Sequence, residues 1–137
     1  MYSRTAKPSP LGALGLAALL SLLPAVAIAS PLQGEWRGLV QQANSDVAVI
    51  VRFSGQAATI HFNEPFACDV PAKFMKDDGA ASVYRFAPSP RGGHFCDGLF
   101  GQNLTVTPGT KGHLSIVFVG GRATWRGELS QSPAAAR

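Results

Sequence analysis

The residues best suited to chemistry fall between Ser89 and Gly101, where Arg91, His94, Phe95, Asp97, Leu99 and Phe100 are interleaved with glycines. Arginine is the side chain fitted to a carboxylate or phosphate, imidazole titrates near neutrality, and loops on a rigid scaffold are where recognition concentrates. Arg91, His94, Phe95 and Asp97 are therefore the candidate binding residues. The plainer alternative is a long connection in which Phe95 or Phe100 caps a hydrophobic core. Catalysis finds less support. No serine stands in a glycine–any–serine–any–glycine elbow, and Asp77-Asp78 before Gly79 has the composition of a turn. His61, His94 and His113 could meet Asp69 or Asp97, but their spacing matches no metal-ligand pattern, so neither a metal nor another cofactor is expected. Glu35 and Glu128 flank Trp36 and Trp125 and invite cross-strand ion pairs with Arg37 or Arg126.

The compartment follows from the first 29 residues. Arg4 and Lys7 form a basic head, Leu11 to Leu23 an apolar run, Pro24 a break, and Ala27-Ile28-Ala29 a small-residue cleavage site. This is the pattern of an export leader, with Ser30 as the expected new N-terminus. The apolar run is too short to span a bilayer, which takes roughly 20 residues, so no stable membrane span is expected after cleavage. A periplasmic or secreted location follows. Arg4 and Lys7 leave with the leader, so ten Lys and Arg remain against eight Asp and Glu, a net of +2. The basic residues are scattered along the chain, which is a poor footprint for nucleic acid. Two cysteines, Cys68 and Cys96, in an oxidising compartment predict one disulfide. Closing a loop of this length is worth about 3–4 kcal/mol in the chain-entropy account. That is a large share of the stability of a domain this small.

The elements that position these residues read as strands throughout. Alternation of period two recurs in Leu32–Val40, Val47–Phe53, Thr59–Phe62, Cys68–Met75, Ala81–Ala87, Leu104–Thr107, and around Ile116 and Trp125. Turn residues separate them: Ser54-Gly55, Lys76-Asp77-Asp78-Gly79, Pro108 to Gly112, and Gly120-Gly121 as a two-residue hairpin loop. Pro71 lacks an N–H and demands an edge, a bulge or an unpaired outward position. Eight short strands joined as consecutive hairpins predict an all-β fold: a small eight-stranded antiparallel up-and-down barrel with one disulfide, or a β-sandwich as the alternative. The domain would run from residue 30 to 129, with a disordered tail from 130 to 137. In a closed barrel the first and last strands are neighbours, so Trp36 and Trp125 are expected to plug one interior region.

The Gly34-Glu35-Trp36 element on the first strand resembles that of the calycin-type barrels, the lipocalins, fatty-acid-binding proteins and avidins. The layout also resembles small exported bacterial β-barrels with one disulfide, and is similar in size and compartment to periplasmic lysozyme inhibitors. Thr110-Lys111-Gly112 resembles the inhibitory loop of that last group, without the serine- and glycine-rich loop that precedes it there. These resemblances imply a non-catalytic binding protein, of inhibitor or immunity type, that takes a protein partner through its loops. The alternatives are a small apolar ligand in the lumen, or a small hydrolase. The inward set is bulky, and an eight-stranded barrel is just wide enough for side chains to fill.

Overall fold

The computed structural model describes residues 32–132, together with Gly12. The expected leader and the last five residues of the expected tail lie outside the described residues. Eight strands follow in order: β1 (Gly34–Gln42), β2 (Ser45–Ser54), β3 (Ala57–Phe62), β4 (Cys68–Asp78), β5 (Ala81–Phe86), β6 (Asn103–Pro108), β7 (His113–Gly120) and β8 (Ala123–Gln131). A four-residue helix, α1 (His94–Asp97), interrupts the β5–β6 connection. Each strand pairs antiparallel with the next, and β8 pairs with β1 to close an up-and-down barrel. The barrel expectation holds and the sandwich does not.

Alternation sets which side chains fill the interior. Val51, Ile60, Phe62, Val70, Leu104 and Ile116 are fully buried, so no void the size of a water molecule adjoins them. Tyr84 packs between Phe53 and Phe74, with ring centroids 5.6 Å from each. The lumen is a packed core. Closure depends on two glycines at the β1–β8 seam. A Cβ on Gly38 would come within contact distance of the Glu128 carbonyl, and one on Gly127 would strike the carbonyl of Leu39. Any larger residue would push the first and last strands apart.

The links between strands divide the barrel into two ends. One, the loop end, carries the β1–β2, β3–β4, β5–β6 and β7–β8 connections. The far end carries the other three, with the start of β1 and the finish of β8. The two tryptophans occupy opposite ends rather than one region. Trp36 lies opposite Gln131 at the far end, and Trp125 lies beyond the Gln41–Arg126 pair at the loop end. The reason is antiparallel pairing, which sets the start of one strand against the finish of its neighbour.

Pro71 meets its expectation without lying at an edge: it holds an outward position outside the β5 ladder, in a strand that bulges at Met75, and its carbonyl accepts from Ala87 N–H (2.9 Å). The β4–β5 ladder begins one residue on, at Ala72–Phe86, so the missing donor falls where β5 has already ended. Three other expectations shift. β4 runs on through Asp78, so its hairpin turns on Gly79-Ala80 and not on Lys76 to Gly79. The last hairpin turns on Gly121-Arg122, one residue later than expected. The barrel does not stop at 129. β8 continues to Gln131, and Ser132 is buried, with its N–H donated to the Glu35 carbonyl (2.9 Å).

Candidate functional site

The segment from Ala87 to Gln102 folds across the loop end and is tied down along its length. Ser89 Oγ donates to the Asp69 carbonyl (2.6 Å), and Gly101 N–H donates to the Phe86 carbonyl (3.0 Å). Cys68 on β4 and Cys96 in α1 form the expected disulfide, with Cα atoms 6.3 Å apart. The single turn of α1 sorts its side chains. Cys96 and Leu99, three residues apart, are fully buried, while His94 and Asp97 face solvent.

Phe95 is not displayed. Its ring lies parallel to Phe66 from the β3–β4 loop, with centroids 3.7 Å apart, and perpendicular to Phe62 and Trp125. Trp125 in turn stacks on Phe118. The cluster joins both long loops to the core and closes the loop end, the capping role that the sequence left open between Phe95 and Phe100. Phe100 takes the other part, with 61% of its surface exposed. The Trp125 Nε1–H is buried without a hydrogen-bond partner among the described residues, at the rim of the Phe66–Phe95 stack. Of the four candidate binding residues, then, Arg91, His94 and Asp97 are exposed at one end of the barrel and Phe95 is turned into it.

The histidines do not converge. His94 is on α1, His61 on β3, and His113 begins β7 at the far end, where its Nδ1 lies 3.4 Å from Ser130 Oγ. His61 Nδ1 lies 2.7 Å from Asp69 Oδ1. His61, but not Asp69, lines an open outer hollow of about 560 Å³ together with Ala48, Asn63, Glu64 and Ala67. A histidine oriented by a carboxylate can act as a base, yet these two residues are also directly opposed across β3 and β4, and both are partly exposed. Favourable cross-strand pairing accounts for them. Among the described residues no three His, Cys, Asp or Glu side chains are placed to hold a metal ion.

The seam residues divide unequally. Glu35 accepts from Arg37 Nη2 (2.8 Å) and from Arg52 Nε (3.0 Å), and these two guanidiniums hold its carboxyl below the usual range. Glu128 has no ion pair among the described residues. It lies opposite Leu39 and Ser115 on the floor of an outer groove of about 640 Å³ across β7, β8 and β1. Both hollows thus lie on the outer wall.

Sequence reasoning passed over one juxtaposition entirely. Lys73 and Arg85, twelve residues apart, are directly opposite on the outer face of β4 and β5. Their distances from the hairpin tip carry that signal only when corrected for a bulge at Met75.

Fold and loop together define a small, filled, disulfide-stapled β-barrel that presents one ordered loop. Beyond that class the comparisons are silent: no protein-family model, curated protein or solved structure matches this chain.

Proposed function

We propose that this is a non-catalytic binding protein of inhibitor or immunity type, periplasmic or secreted, that engages a protein partner through the β5–β6 loop. The observation that carries the reading is Phe100, an aromatic left 61% exposed on a loop whose neighbouring apolar residues, Cys96 and Leu99, are buried. Aromatic and arginine side chains dominate binding hot spots, and Phe100 is accompanied by exposed Arg91, His94 and Asp97. The disulfide and the Phe95–Phe66 stack hold the loop in one conformation, which lowers the ordering cost of association. The disulfide fits an oxidising compartment. No helix among the described residues is long and apolar enough to cross a membrane. A filled lumen supports recognition by the loop over an apolar ligand held inside.

The test begins with affinity capture from periplasmic extract and identification of the retained protein by mass spectrometry. Its affinity is then measured for the wild type, for Phe100→Ala and for the Arg91→Ala/His94→Ala double variant. Phe100→Ala should weaken binding about 30-fold, equivalent to about 2 kcal/mol, and both variants should keep the wild-type melting temperature because none of the three side chains is buried. Variants that bind normally, or that unfold, would place recognition elsewhere and make the loop structural.

A further inference from the structure

We infer that the outer face of β4 and β5 docks on anionic phospholipid membranes, away from the loop proposed for the protein partner. The starting point is the Lys73–Arg85 pair. Directly opposed residues on one sheet face have Cβ atoms about 4.5–5.5 Å apart, and like charges there are destabilising. Lys76, the next outward cation on β4, lies opposite Val83 and so diagonal to Arg85. All three side chains are exposed, and none has an ion pair among the described residues.

The surroundings set one carboxylate against three cations. The flanking outward residues are Ala57 and Thr59 on β3 and Asn103 and Thr105 on β6. Asp69 is engaged with His61, 2.7 Å away. Asp77 pairs with Ser82, which shares the inward alternation of Tyr84 and Phe86, and its carboxylate accepts from Ser82 Oγ–H (3.0 Å). Only Asp78, at the hairpin tip, faces outward with them. The fold therefore gathers three cations where pairing gives nothing back, a pattern expected when the compensating anion belongs to something else.

The bulge identifies that something. Between Phe74 and Lys76 the register shifts by one residue, and the extra residue, Met75, is 46% exposed. An uncovered apolar side chain set among cations is the composition of a bilayer-interface contact: the thioether enters the headgroup–acyl boundary while the cations meet lipid phosphates. A soluble polyanion would use the charges and leave Met75 in water. Docking on the barrel wall also leaves the loop end free, so this surface stands or falls independently of the partner site.

Vesicle co-sedimentation at low ionic strength tests the inference. The protein as isolated is compared with its own Lys73→Ala/Arg85→Ala, Met75→Ser and Arg85→Glu variants, so any leader contributes equally to all four. The vesicles are phosphatidylcholine alone, or phosphatidylcholine with about a third phosphatidylglycerol. Each basic residue near an anionic surface is worth about fivefold in partitioning. The double alanine variant should therefore lose about 25-fold on the anionic vesicles, and binding should fade as salt shortens the screening length. Met75→Ser should weaken binding at unchanged charge. Arg85→Glu, the same change of two charges, should weaken binding by about 25-fold as well while raising the melting temperature, because it replaces a repulsive cross-strand pair with an attractive one. That opposition separates a functional cost from a structural role. Equal binding by all four proteins, binding that ignores phosphatidylglycerol, capture by free phosphate or heparin in preference to vesicles, or a lower melting temperature for Arg85→Glu would each overturn the inference.

Discussion

Glu35 concentrates the electrostatics of the seam in one carboxylate. It receives hydrogen bonds from Arg37, its neighbour two residues along β1, and from Arg52, its partner on β2. Arg37 Nε also donates to Ser132 Oγ (3.0 Å), which ties the end of β8 to the start of β1. Hydrogen bonds from the two arginines, with their positive charge, lower the Glu35 pKa in the folded protein. The unfolded chain, lacking those donors, binds the proton more readily. The contribution of Glu35 is therefore present above its ordinary pKa and is lost as the pH falls through the lowered folded value. Urea unfolding across an acid pH series should show that decline in the wild type and a flatter acid limb in Glu35→Gln. Both arginines are largely exposed, so added salt should shrink the difference.

At the scale of elements, β4 carries most of what is particular to this barrel. Its first residue forms the disulfide, its fourth is Pro71 at the edge of the β5 ladder, and its eighth is the bulged Met75. The hairpin itself was legible from Asp77-Asp78-Gly79, and it sets β5 against β4, although its tip is Gly79-Ala80 and β4 runs three residues past the expected Met75. The bulge was not legible, since nothing in Phe74-Met75-Lys76 distinguishes an extra residue from a regular one. Without it Lys73 would face Phe86, whose side chain is inward, and the basic pair would not exist. The disulfide holds the same element to the loop. Replacing both cysteines by serine should cost about 3–4 kcal/mol by denaturant unfolding, the closure entropy of a loop this long. Native variants should keep the far-UV signature of the barrel, because the strand ladders do not depend on the bond. A stability loss well below 1 kcal/mol would mean that the Phe95–Phe66 stack alone orders the loop.

For the whole molecule the decisive property is closure. A closed barrel has no free sheet edge, and its interior is filled by side chains from every strand. Trp36 and Trp125 report on the two ends separately, being 8% and 4% exposed. Acrylamide should quench both poorly in the native protein. Phe95→Ala should uncover Trp125 while leaving Trp36 protected, since only Trp125 packs on that ring. It should also cost stability, though less than the roughly 3–5 kcal/mol of a fully buried phenylalanine, because Phe95 is only partly buried. Equal exposure of both indoles in that variant would mean that the ends are not independent.

The sequence by itself determined the strand count, the inward set and the pairing of consecutive strands. Alternation of period two and turn chemistry are local properties, readable within ten residues. It also marked Cys68 with Cys96, since two cysteines allow only one intramolecular bond. The tertiary structure decided what depends on register and on packing between distant segments. It set the tryptophans at opposite ends, turned Phe95 inward and Phe100 outward, extended the seam to Ser132, and brought Lys73 against Arg85. A residue's face follows from its neighbours in the chain. Its partner follows from how far two strands have slid past each other, and one extra residue in a bulge changes that.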